Sequence, residues 1–490
     1  MNYNFVCKSN HVSVVFGMEL SQLMFDPKIQ LPSRPRRPWL RAAALALTAL
    51  TATAQEEPPS RMRLPGTPTL VFLASQLPDA GSHLEAIRRF KTTALRDLKE
   101  SGVFRLLDPG SAPREEDQGA LSFWRGAGAN FLVRYASRSL AQGRLVIESE
   151  CINLETGAVV LKKSFMGEAA ATTRMAHRMV DFVVGKVTGT QGAADSTIVV
   201  ARSTGPGIKE IFGLDRDGRN PRQLTQFGSL TTHPALAPDG RLACVTYRGG
   251  PPQIWGQIRP DGPFQRWYPP HGGSGLELSD LIWSPDGSRL CFVQENRKGL
   301  ADIHVLDPVT GQESQLTPGG RSSRWPSWNP AGTQIAFLLD QGGTPQVYLM
   351  AADGGRVQRL TGDPAPKACV AWDAQGDRIA FVAREDGQYV LYTLSPAGTD
   401  RQKVASGPEP VESLCWSPDG RWLLLGLKTG TGPRLRLAGL DGKCQDLGDG
   451  PGDAQFPQWT LNPVAGSSLA EAKVPPSLPG PAPLGSTLVP

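Results

Sequence analysis

The chain has 490 residues, 40% hydrophobic and 20% charged, with a formal charge of +5; that length is enough for more than one core. Residues 1–54 carry Lys8, Lys28, Arg34, Arg36, Arg37 and Arg41 against Glu19 and Asp26, a net +4, so the remainder is close to +1. With no basic run left, the chain offers no electrostatic footprint for nucleic acid or anionic lipid.

Residues 1–54 read as an export signal. Arg34, Arg36, Arg37 and Arg41 precede an apolar run over 42–50, too short to span a bilayer. Ala52-Thr53-Ala54 follows as a small-residue cleavage site. The mature chain is expected to begin at Gln55, and Gln rather than Cys there implies no lipid anchor. The stretch before Arg34 is long for such a signal, so Met18 and Met24 stand as alternative starts. Residues 55–68 form a Pro-rich arm holding Gln55, Glu56, Glu57, Arg61 and Arg63. It has too little apolar surface to pack a core and is expected to be a mobile spacer or a peptide-like binding arm.

Residues 69–190 read as a small α/β domain. A strand at 69–73 leads to a helix over 82–99, opened by a Ser82–Glu85 capping box. Leu84, Ile87, Ala94, Leu95 and Leu98 share one helical face. Gly102 stops the helix before a strand at 104–107. Further strands are predicted at 131–135, 145–153 and 159–165, with a hairpin turn at Glu155-Thr156-Gly157. A second helix is predicted over 169–187. Two helices on one mixed sheet make an α/β sandwich with its own core. A Gly-rich joint at 185–194 leads on.

Residues 196–464 are repetitive. Leu281-Ile282-Trp283-Ser284-Pro285-Asp286-Gly287 reads as a strand running into a tight turn, with Pro285 presetting φ and Gly287 tolerating a left-handed exit. Ser413-Leu414-Cys415-Trp416-Ser417-Pro418-Asp419-Gly420 repeats it, and looser copies surround Trp328, Trp372 and Leu236. These five anchors are spaced by 47, 45, 44 and 44 residues, a period that marks a propeller of four-stranded blades. Gln455-Phe456-Pro457-Gln458-Trp459 repeats only a first strand, 43 residues after Trp416. Its missing strands stand before the first copy, at 197–201, 210–214 and 221–225. The two ends therefore share a sixth blade and close the ring, leaving no long free edge. Residues 465–490 are rich in Ser, Ala, Pro and Gly and are expected to be disordered.

Few residues carry chemistry. Beyond residue 54 stand Cys151, Cys244, Cys291, Cys369, Cys415 and Cys444, without a C-x-x-C pair; they read as small buried hydrophobes, and spacing assigns no disulfide. None of the six histidines has a partner at metal-ligand spacing, so neither metal nor cofactor is expected. Gly272-Gly273-Ser274-Gly275 is followed by Leu276, where a nucleophile elbow needs Gly. The repeated Trp reads as packing between blades. Shape remains. The loops leading into the inner strands converge on one mouth of the channel and bring Thr232, His233, Glu277, Ser279, Asp280, Arg324, Lys367, Glu412, Gln455 and Phe456 to a face suited to a protein partner.

The order of parts resembles the TolB family, periplasmic components of Tol–Pal systems. The resemblance covers about residues 69–463. It is carried by the Trp-Ser-Pro-Asp-Gly repeats at 281–293 and 413–425, and by the small-domain stretches Leu95–Phe104 and Trp124–Val133. It implies a non-enzymatic, monomeric protein without cofactors. The implied partners are the peptidoglycan-associated lipoprotein Pal at the propeller mouth and TolA at the arm from Gln55. The implied role is outer-membrane integrity and constriction during division. The arm is more polar than a strand-forming segment for TolA would be. The competing reading is an exported propeller hydrolase or lyase acting on sugars or peptides, which needs perturbed carboxylates or histidines clustered in the channel.

Overall fold

The computed structural model describes residues 67–74, 83–108, 120–269, 276–447, 453–462 and 470–471. Residues 1–54, read as an export signal, arm residues Gln55, Glu56, Glu57, Arg61 and Arg63, Ser82 and Gly272–Gly275 lie outside them. Among the described residues no helix is long and apolar enough to cross a membrane.

The small domain runs β1 (Thr69–Ala74), α1 (Leu84–Glu100), β2 (Arg105–Leu107), α2 (Ala120–Gly126), β3 (Phe131–Ser139), β4 (Arg144–Asn153), β5 (Val159–Glu168) and α3 (Thr172–Thr188). Its sheet has the order β2-β1-β3-β4-β5, with β1 parallel to β2 and β3 and the rest antiparallel. The apolar stripes of α1 (Phe90, Ala94, Leu98) and α3 (Met175, Met179, Val183) bury one face of the sheet against Phe131, Ile147 and Phe165. The predicted hairpin is present: Asn153 Oδ1 accepts from the N–H groups of Glu155 and Thr156 at 2.9 and 3.2 Å, and Gly157 takes φ 72°.

Two features were not read from the sequence. The seven-residue α2 covers the second face of the sheet through Trp124, which packs on Val71, Leu132 and Ile152; two turns are too short to show a period. Within the stretch expected to be a disordered tail, Ala470–Glu471 pairs antiparallel with Phe165 and Met166 and becomes the outermost strand of this sheet.

The propeller has six four-stranded antiparallel blades. Their inner strands are Thr231–Leu236, Glu277–Trp283, Ser322–Trp328, Lys367–Trp372, Val411–Trp416 and Gln455–Leu461. The last of these pairs with Ser196–Gly205, which carries the rest of its blade, so the ring closes with strands from both ends as expected. The anchor tryptophans lie between blades. Trp283 Nε1 donates to the carbonyl of Ala235 at 3.1 Å and Trp416 Nε1 to that of Ala371 at 3.0 Å, each on the preceding blade. All of Trp283, Trp328, Trp372, Trp416 and Trp459 are buried, each removing roughly 2–3 kcal/mol worth of apolar surface from water. Arg241 and Arg289 stack on Trp283 and Trp328 from the blade before, with centroids at 4.8 and 4.9 Å.

The small domain meets the propeller at the mouth formed by the Ser-Pro-Asp-Gly turns. Arg216 and Arg421, both in propeller turns, donate to the carbonyls of Glu100 and Ser101 at 3.0 and 2.6 Å. Two cations thus cap the carbonyl end of α1, where the helix dipole is negative. Asn462, which follows the last inner strand, bonds Asp195 through both backbone and side chain. The loops leading into the inner strands therefore lie at the opposite, distal mouth.

Candidate functional site: the distal mouth of the propeller

Every inner strand breaks register with its neighbour three or four residues before its anchor. At the third residue before the anchor, five of the six strands place a non-glycine residue in the left-handed region: His233 (φ 45°), Asp280 (51°), Trp325 (52°), Cys369 (52°) and Phe456 (52°). In the fifth blade the equivalent Ser413 is not left-handed, although the register still shifts there. Bulky side chains take such φ values only against a cost of about 1 kcal/mol or more each. A bulge also bends its strand and re-aims a side chain. Repeated around a ring, the bulges shape the channel at one level.

The channel has a volume of about 930 Å³. Of the predicted mouth residues, His233, Asp280, Glu412 and Phe456 line it. His233 and Phe456, from the two blades that meet at ring closure, stack with centroids 4.0 Å apart and planes at 29°. Burial, aided by the charge of Lys209, pushes the His233 imidazole down to about 4, so it is neutral at pH 7. His233 Nδ1 also lies 3.1 Å from Thr232 Oγ1. Asp280 Oδ2 accepts from the N–H of Trp325 at 3.2 Å. Burial raises the Asp280 carboxyl above its ordinary range, against the Trp325 N–H and the charge of Arg324. Asp280, Glu412, Trp325 and Phe456 all line the channel, and among the described residues no Lys or Arg lines it.

Glu277, Arg324 and Gln455, which do not line the channel, are tied to neighbouring strands. Tyr247 donates to Glu277 Oε2 at 2.5 Å from the preceding blade. Arg324 pairs with Glu295 of the blade before it, and Lys209 bonds Gln455. Ser279 neighbours Asp280 on the inner strand, and Glu412 lies 3.7 Å from Lys428. Lys367 is different. Its side chain is buried, pairs with Asp363 and donates to the carbonyl of Ala365 at 2.5 Å. It fastens its own loop and does not reach the channel.

Trp325, Cys369 and the bracing Tyr247, Glu295 and Lys209 were missed. Aligning the repeats on their anchors finds the first two, since both stand three residues before a Trp. The bracing residues come from second and third strands, where the repeat marks nothing. The six described cysteines are free; Cys151, Cys244, Cys291 and Cys369 are buried as expected, whereas Cys444 is exposed on an outer strand. Among the described residues no three His, Cys, Asp or Glu side chains come together to hold a metal ion.

A family model described as the TolB beta propeller domain matches residues 184–462. A "Tol-Pal system protein TolB" from Anaeromyxobacter sp. (strain K) is 30% identical over 336 residues, 66% of this chain and 65% of that protein. The chain thus spans about two-thirds, 65%, of the length of this curated relative. A "Protein TolB homolog" from Chlorobium chlorochromatii is 28% identical over 264 residues, 52% of this chain and 57% of that one. The crystal structure of TolB from Acinetobacter baumannii superposes with a TM-score of 0.67 over 82% of this chain and 98% of that one, at 22% identity, which bears on the fold alone. The fold, the closed six-blade ring and the matched segment agree, and the chain belongs to the TolB family.

Proposed function

We propose that the chain is a non-enzymatic, periplasmic binding component of a Tol–Pal system, with the distal mouth as its docking face for the peptidoglycan-associated lipoprotein. The observation that carries this reading is the ring of left-handed bulges. It supports a preformed, braced concavity in which a partner loses little entropy to loop ordering. The throat, lined by Asp280, Glu412, Trp325 and Phe456, suits an inserted cationic or apolar side chain. The arm from Gln55 is assigned to TolA, and the role to outer-membrane integrity and constriction during division. The export signal over 1–54 fits that location.

Calorimetry of residues 55–490 against the periplasmic domain of the same organism's Pal tests the proposal. Binding at micromolar affinity or tighter is expected. Changing Glu277 and Asp280 together to Ala should weaken it at least tenfold. Absence of binding at high micromolar concentration overturns the assignment while leaving the fold intact.

A further inference from the structure

The joint between the two domains concentrates ionisable groups that the distal mouth does not use. Asp97 of α1 is buried and His177 of α3 is partly buried, with Oδ2 and Nδ1 2.5 Å apart. Asp97 also lies 3.5 Å from Arg96, which reaches across the joint to Asp217 of the propeller at 3.2 Å. On the next turn of α3, Asp181 accepts from the N–H groups of Ala194 and Asp195 at 2.6 and 2.8 Å. It thereby folds the interdomain linker back onto the helix. Asp195 is held in turn by Arg174 and Asn462. The linker residues Thr190 and Gln191 line the channel at this end.

We propose that this joint is a pH-dependent latch, closed when His177 is charged and Asp181 neutral and loosened as pH rises above neutrality. His177 is faced by Asp97 from α1, Asp195 from the linker and Asp215 from the propeller, with Asp181 on its own helix. Burial lowers its proton affinity, but the bond to Asp97 and the charges of Asp97, Asp195 and Asp215 outweigh this and raise it. Burial raises the Asp181 carboxyl to about 7, against its two backbone N–H bonds and with Asp195 adding to it. Glu100, beside Arg216 and Arg96 at the end of α1, is likewise raised by burial.

The signs agree. A raised His contributes stability in full below its unfolded value near 6.5 and loses it as pH climbs through the folded value. A raised carboxyl holds its proton in the folded protein, so stability falls as pH rises from its unfolded value towards about 7. Above neutrality Asp97, Asp195 and Asp215 lose the nearby charge of His177, Asp97 keeping Arg96 and Asp195 keeping Arg174, while Asp181 gains a charge beside Asp195. The assignment does not depend on the identity of any partner at the distal mouth.

Hydrogen–deuterium exchange on residues 55–490, corrected for intrinsic rates, tests it. Peptides over 185–197 and 96–104 should be about tenfold better protected at pH 5.5 than at pH 8, with third-blade peptides unchanged. In His177→Gln the protection at pH 5.5 should fall and the pH response should shrink by more than half. Asp217→Asn, in a propeller turn, cuts the crossing ion pair without touching a core. It should lower joint protection at both pH values and serves if the first variant fails to fold. Equal protection at both pH values in the unaltered chain, a wild-type pH response in His177→Gln, or unchanged protection in Asp217→Asn would each overturn the latch.

Discussion

At the residue scale, the anchor tryptophans do two jobs at once. Trp283 fills the space between blades, meets Trp267 edge-on at 5.7 Å and satisfies its indole N–H on the neighbouring blade. Truncation to Ala should cost about 3–5 kcal/mol, as buried Trp sites do, read as a lower midpoint in urea unfolding. Asp286 supports the turn that follows, accepting from Ser284 Oγ, Ser288 N and Ser288 Oγ at 2.5, 3.0 and 2.7 Å. Those bonds hold its carboxyl down to about 2. Its stabilising contribution is present above the unfolded value near 4 and is lost as pH falls towards 2. Asp286→Ala should therefore destabilise by about 1 kcal/mol at pH 7 and by much less at pH 2, measured by denaturant titration at both values. Trp and the Pro-Asp-Gly turn were legible because their chemistry fits one role. The left-handed position was not, since His, Asp, Trp, Cys and Phe share no preference for that conformation. Lys367 misled for a related reason: a charge at a loop reads as exposed, and its burial depends on Asp363 and Ala365 folding around it.

Among elements, the strands of the propeller followed closely from β-branched and aromatic runs between turn residues. The small domain's long helices followed from their apolar stripes. Their ends shifted by a few residues: α1 spans Leu84–Glu100, and α3 begins at Thr172 after a short 3₁₀ turn. What failed was too short to carry a period, namely α2 and the Ala470–Glu471 strand. Gly256 shows how an element can be fixed by an absent side chain. A Cβ there would land within the ring of Trp267 on the adjacent strand. Gly256→Ala should displace that ring and cost about 1–3 kcal/mol by overpacking, visible as a lower melting temperature and a changed Trp fluorescence spectrum.

For the whole molecule, closure governs stability. Removing residues 453–490 deletes the inner strand of the shared blade and exposes Ser196–Gly205 as a free edge. That variant should aggregate or unfold, as followed by light scattering, whereas removal of 472–490 should leave the melting transition unchanged. The number of blades and their closure were legible because a repeat displays its own period. The placement of the small domain was not, because Arg216, Arg421 and Asn462 are scattered along the chain and meet Glu100, Ser101 and Asp195 only once the ring is built.

The small domain sits at one mouth, and the proposed partner face is the other, distal one. Hydrogen–deuterium exchange with and without the Pal periplasmic domain separates them most directly. Protection is predicted in peptides spanning 231–236, 277–283, 322–328 and 453–458, at the level of His233, Asp280, Trp325 and Phe456. Protection confined to the outer strands or to the Ser-Pro-Asp-Gly turns, with those peptides unchanged, would contradict the account.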